Sequence, residues 1–424
     1  MLRRSASILV LLAVPVIHGS ARSSNCDGTQ TGLIPLTVLG AGTYKGYAGG
    51  LYPGGSNARP PAHEAAGLAI AGAIAPLDTF GVVSGGGRVV FISIGMSNAT
   101  QEFSTFVQET FNDAYKDPRV RAIDCAEGGQ TASIIKNPAA AYWDTVRTRL
   151  RGHGSSPLQV QVAWIKEANA GPTTGFPAAT TTLMRDLGSV VRTLKDQFPN
   201  LRIAYLSSRI YAGYASTALN PEPYAYESGF AVKWLIEAQI AGEDSLNFDP
   251  AQGPVESPWL SWGPYLWADG MTPRPGDGLM WLCTDYANDG THPSPNGRIK
   301  VTDLLLAFVH QDATASRWYV THPAGVPRAS SGTVHLALSS NPARGEVGLT
   351  FGTRAGEAWR LDVLDPAGRR VRALAGGLGD GATRSLRWDG RDERGAPLVA
   401  GIYWVLLESG TDRIARRLAL LSTP

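Results

Sequence analysis

Between Arg88 and Gln311 the sequence alternates short β-branched apolar runs with amphipathic helical stretches, and few folds accept that pattern. Residues 88–94 (RVVFISI) are apolar at nearly every position, as a strand buried on both faces requires. Phe103, Phe106, Val107 and Phe111 then recur at helical spacing. Further strand-like runs occupy 120–125, 158–165, 201–206 and 279–283, and helical patterns fill 142–150, 183–198, 230–240 and 295–308. This alternation predicts an α/β three-layer sandwich: a five-stranded parallel sheet with helices on both faces. Sites in such sheets gather at the carboxyl ends of the strands, so the chemistry is expected just after Ile94, Cys125, Ile165, Leu206 and Cys283.

The flanks have other textures. Residues 1–21 combine a basic start, a short apolar run and small residues at Gly19-Ser20-Ala21, the pattern of a cleaved signal peptide. No later stretch is long and apolar enough for a transmembrane helix, so a secreted or cell-surface protein is expected. Residues 22–87 are rich in Gly, Pro, Ala and Ser and are read as an irregular segment packing on the 88–320 domain, with 46–55 as surface coil or else as a loop near the site. A linker is expected at 321–334. From 335 to 424, short alternating runs separated by Gly and Asp-Gly turns predict an all-β sandwich. The net charge of +2 gives no electrostatic footprint for nucleic acid or acidic lipid. Three cysteines leave at least one thiol outside any internal disulfide. Cys125 and Cys283 both end strand-like runs, and they are read either as partners or as two buried thiols.

Two short segments carry candidate chemistry. Ser97, in Gly95-Met96-Ser97-Asn98, follows the first strand and opens the next helix, where developing negative charge is favoured. A hydroxyl needs a base to act as a nucleophile. His292, in Asp289-Gly290-Thr291-His292-Pro293-Ser294, offers an imidazole as that base, and Asp289 is close enough in sequence to orient it.

The order of these segments, with Asp289 to Arg298 as the final block, resembles the SGNH/GDSL hydrolase family over roughly 88–311. The resemblance implies an esterase that needs no metal or cofactor, with Ser97 as nucleophile, His292 as base and Asp289 as its partner. It also implies an oxyanion hole from the backbone of Ser97, from a glycine after the second strand (Gly128 in preference to Gly129) and from an asparagine after the third. The sequence departs from the family pattern at two places. Met96 stands where an aspartate is usual. The third block reads Trp164-Ile165-Lys166-Glu167-Ala168-Asn169, so Asn169 supplies the amide only if the turn is one residue longer. Lys166 is read as a solvated side chain beyond the strand end, or else as positive charge near the oxyanion.

Trp262 and Trp267, in a Pro- and Gly-rich stretch, are candidate platforms for stacking on a sugar, against the alternative of a packed loop. The implied substrate is a carboxylic ester, with an O-acetyl ester of a polysaccharide preferred. A lipid or aryl ester, or a non-catalytic surface protein that binds glycan, is the alternative. Asn341–Gly345, 364–371, 388–392 and 400–404 are similar to FlgD-type immunoglobulin-like domains and to the sorting domains of type IX secretion cargo. That similarity implies export machinery as a partner.

Overall fold

The computed structural model describes residues 24–321, 334–354, 357–366, 368–379, 383–410 and 412–421. The expected signal peptide, residues 1–21, and most of the expected linker lie outside the described residues.

Five strands form the central sheet: β1 Val89–Gly95, β2 Val120–Ile123, β3 Val160–Lys166, β4 Ile203–Leu206 and β5 Trp259–Trp262. They pair in the order β2-β1-β3-β4-β5, every pair parallel. Every residue of β1 and β3 is buried, which is why both read as continuous apolar runs. The helices that bear on the site are α1 Pro61–Gly72, α2 Ser97–Thr110, α3 Tyr142–Gly152, α4 Ala178–Gln197, α5 Tyr224–Ile240 and α6 Pro295–Gln311. Helix α2 packs with α6, and α4 with α5, to give the outer layers. Phe103 and Phe106 on α2 are fully buried and meet Phe91 of β1 edge-on, at ring separations of 5.1 and 6.0 Å. Burial of each such ring contributes about 1.5–3 kcal/mol.

The fifth strand is not where the sequence reading put it. Residues 279–283 run as loop into a short 3-10 turn, Cys283–Asp285, and the edge strand is Trp259–Trp262. Its outward backbone groups are covered by other elements, as an edge strand needs. The Leu260 N–H donates to Gln239 Oε1 at 2.7 Å, the Trp262 N–H to the Tyr52 hydroxyl at 3.3 Å, and His63 Nε2 bonds the Leu260 carbonyl at 2.8 Å.

Tyr52 and His63 belong to the segment read as irregular. It does pack on the sheet, but it holds a three-turn helix, α1, whose Ala- and Gly-rich sequence carries no clear apolar stripe. Thr43–Tyr44 and Tyr47–Ala48 within it pair as a short hairpin.

Cys26 and Cys283 form a disulfide with their Cα atoms 5.4 Å apart. Cys125 is free and buried, so a Cys125–Cys283 pairing is excluded.

The C-terminal residues form two antiparallel sheets. One orders β9 (Arg370–Leu378), β8 (Ala358–Leu364), β11 (Gly401–Ser409) and β12 (Asp412–Leu420); the other orders β10 (Thr383–Trp388), β7 (Val347–Gly352) and β6 (His335–Leu338). Leu336, Leu349 and Phe351 from the smaller sheet share a core with Val363, Val405 and Leu418 from the larger, the all-β sandwich expected of this region. Strand β9 went unread in the sequence; it is largely exposed, with charged and small residues along it. No helix among the described residues is long and apolar enough to cross a membrane.

Candidate active site

Ser97 is the first residue of α2, placed by a turn directly off β1. Gly95 makes that turn possible. Its φ is +156°, and an added Cβ would stand 2.3 Å from the Lys166 carbonyl oxygen of the neighbouring strand. His292 and Asp289 lie in the loop before α6, where Gly290 at φ +63° passes so close to the Tyr214 carbonyl that a Cβ would fall 1.8 Å from it. The Ser216 N–H donates to the Asp289 carbonyl at 3.1 Å, so the loop after β4 braces the loop that carries the imidazole.

The two loops deliver one hydrogen-bonded chain. Ser97 Oγ lies 2.7 Å from His292 Nε2, and His292 Nδ1 lies 2.5 Å from Asp289 Oδ2. Asp289 Oδ1 accepts from the backbone N–H groups of Thr291 and His292, both at 3.0 Å. Partial burial alone would raise the Asp289 carboxyl, but the His292 backbone and side chain together with the Thr291 N–H hold it below the usual carboxylate range. Asp289 is therefore ionised and fixed, and it favours the His292 tautomer whose Nε2 lone pair faces the Ser97 hydroxyl. Ser97 and His292 are both partly exposed, so a substrate can reach them.

Gly128 lies beside Ser97: a Cβ built on it would stand 3.7 Å from Ser97 Cβ. Asn169 lies in the loop after β3. Its Oδ1 accepts from the Ser133 N–H at 2.9 Å and its Nδ2 donates to Asp186 at 2.8 Å. The Ala132 N–H donates to the Ala168 carbonyl at 3.1 Å, which brings this loop against the one that follows β2.

Lys166 is not solvated. It ends β3 in register with Gly95, and its side chain is fully buried against a fully buried Glu102 on α2, with Nζ–O distances of 2.5 and 2.6 Å. Burial pushes Lys166 down to about 8 and Glu102 up, while their mutual attraction opposes both shifts. The pair fastens the second turn of α2, the helix that Ser97 opens, to the sheet. Sequence reasoning missed Glu102, whose 64-residue separation from Lys166 only the sheet register closes. It also missed Asn98, whose side-chain amide donates to the Thr291 carbonyl.

Trp262 and Trp267 have almost no exposed ring surface on which a sugar could stack. They are 2% and 0% exposed, and their indole N–H groups donate to the Leu51 carbonyl and to Glu222, each at 2.7 Å. Trp262 is part of β5 itself, so both belong to the core.

No protein-family model and no curated protein matches the sequence. Among solved structures, a Bacteroides fragilis protein described as an acylhydrolase covers 54% of this chain and 88% of its own, at 13% identity and TM-score 0.32. The periplasmic domain of a Salmonella ser. Paratyphi A lipopolysaccharide acetyltransferase covers 53% and 83%, at 14% identity and TM-score 0.29. Latent PorU of Porphyromonas gingivalis is similar over 23% of this chain, at 18% identity and TM-score 0.20, and the match spans 10% of PorU.

Proposed function

We propose that the protein is an exported serine esterase that hydrolyses carboxylic esters through an acyl-enzyme, with an O-acetyl ester of a glycan as the preferred substrate. The observation that carries this reading is the unbroken chain from Ser97 Oγ to His292 Nε2 at 2.7 Å and from His292 Nδ1 to Asp289 at 2.5 Å. Ser97 Oγ attacks the ester carbonyl while His292 Nε2 takes its proton, and Asp289 stabilises the imidazolium that forms. The tetrahedral oxyanion is held by the backbone N–H groups of Ser97 and Gly128, joined by the second Nδ2 hydrogen of Asn169. The loss of one such donor costs about 3–4 kcal/mol of barrier. His292 then returns the proton to the leaving alcohol, and water repeats the sequence to release the acid.

In this reading residues 1–21 direct export and are removed, residues 88–320 are the catalytic domain, and the module at 335–424 serves sorting or surface display. The test is hydrolysis of 4-nitrophenyl acetate by purified wild type against Ser97→Ala. A rate that the substitution leaves unchanged rejects the esterase.

A further inference from the structure

Asp124 follows β2 directly, and the register that pairs Ile92 with Ile123 sets it beside Ser93 of β1. Its carboxylate draws together three elements that are separate in sequence. Oδ1 accepts from the Ser93 hydroxyl at 2.5 Å and from the Ala126 N–H at 3.2 Å, and Oδ2 accepts from the Thr100 hydroxyl in the first turn of α2. The Ser93 oxygen in turn accepts from the N–H groups of Cys125 and Ala126, at 3.0 and 3.2 Å. A carboxylate offers only acceptors, so it fixes the direction of both hydroxyls. Ser93, Cys125 and Ala126 are fully buried, which shields these bonds from water.

The segment fixed in this way runs on to Gly128. The Glu127 N–H donates to the Gly95 carbonyl at 2.9 Å, and Arg149 of α3 donates to the Ala126 carbonyl. Gly128 itself is exposed and stands beside Ser97, with 3.7 Å between a Cβ built on it and Ser97 Cβ. Ser97 opens the helix that Thr100 anchors. One carboxylate therefore ties the helix start that carries the Ser97 N–H to the loop that carries the Gly128 N–H. In the proposed reaction those two N–H groups must converge on one oxygen, and a small error in their separation costs rate.

We infer that Asp124 sets the spacing of the two backbone oxyanion donors. It touches no substrate and acts through Ser93, Thr100 and the loop from 124 to 128. The inference rests on the esterase reading and adds to it a determinant of kcat outside the chain of Ser97, His292 and Asp289.

The test uses the full chain with Asp124→Ala, Asp124→Asn and Thr100→Val, read as kcat and KM on 4-nitrophenyl acetate and as Ki for phenylboronic acid. Ser97 Oγ adds to the boron while its proton passes to His292, which leaves a tetrahedral anion with an oxygen in the place of the oxyanion. Asp124→Ala should lower kcat by about 30- to 100-fold with KM changed less than about threefold, and raise Ki by a similar factor to kcat. Thr100→Val keeps the shape of the side chain and leaves the loop bonds of Asp124 in place, so it should fold and lower kcat about tenfold. Asp124→Asn retains an acceptor for Ser93 and Ala126 and should recover most of the loss. Urea midpoints report whether each protein is folded, and Thr100→Val decides the matter if Asp124→Ala does not fold. Wild-type kcat in folded Asp124→Ala or in Thr100→Val overturns the inference. A fall in kcat with Ki unmoved overturns it too, because it marks a merely structural role. Wild-type hydrolysis by Ser97→Ala instead overturns the esterase reading on which the inference stands.

Discussion

The side-chain amide of Asn98 donates to the backbone carbonyl of Thr291 at 3.0 Å, across 193 positions of sequence. The residue after Ser97 thereby holds the residue before His292. Asn98 is 2% exposed, so the bond is shielded from water. Replacement by alanine should leave the fold in place and loosen the Ser97–His292 distance. The expected result for Asn98→Ala is a fall in kcat of about tenfold to a hundredfold with KM little changed, read on 4-nitrophenyl acetate.

Asp289→Asn keeps the shape of the chain but offers an amide to His292 Nδ1, which favours the wrong tautomer. The kcat should drop by about 10⁴. The same carboxylate also contributes to stability. Its folded-state pKa lies below the ordinary 3.8, so that contribution is present above 3.8 and is lost as pH falls through the folded value. Urea midpoints of wild type and Asp289→Asn should therefore differ at neutral pH and converge in strong acid.

The buried Lys166–Glu102 pair predicts asymmetric costs. Removing one partner leaves the other charge buried without it, so Lys166→Met or Glu102→Leu should destabilise by about 3–5 kcal/mol. The double variant Lys166→Met with Glu102→Leu should recover most of that loss. Urea unfolding of the three proteins measures it, and costs that simply add would show that the two groups are not coupled in the folded state.

The sheet was legible where burial on both faces left a continuous apolar run, as in β1, β3 and β4. Strand β5 was missed because its four residues, two of them tryptophan, sit among prolines and glycines that read as loop. The same misreading made Trp262 and Trp267 a sugar platform, when one is a strand residue and the other is core. Ser97, His292 and Asp289 were legible because local order fixes them: a strand–helix junction and a short turn before a helix. Lys166 was not, because its surroundings come from Glu102 on a helix above the sheet, and periodicity carries no signal for that contact. The ring contact between Tyr47 and Trp234 was equally hidden, since a hairpin and a helix far apart in sequence make it.

The disulfide makes a separate prediction. Cys26–Cys283 closes a loop with a sequence separation of 257, and Cys283 begins the turn that runs into the His292 loop. Reduction, or Cys26→Ser, should lower stability by about 2–4 kcal/mol. In the oxidised protein Cys125 is the free thiol, its pKa pushed up by burial. Thiol titration should therefore find one reactive group only after unfolding, and peptide mapping should recover Cys26 linked to Cys283.

The most direct measurement is covalent labelling with a fluorophosphonate, followed by mass spectrometry of the peptides. Ser97 should carry the adduct, His292→Ala should slow its formation by orders of magnitude, and Ser97→Ala should abolish it. An unlabelled protein, or an adduct on a different residue, would contradict the claim that the 2.7 Å contact between Ser97 and His292 makes a nucleophile.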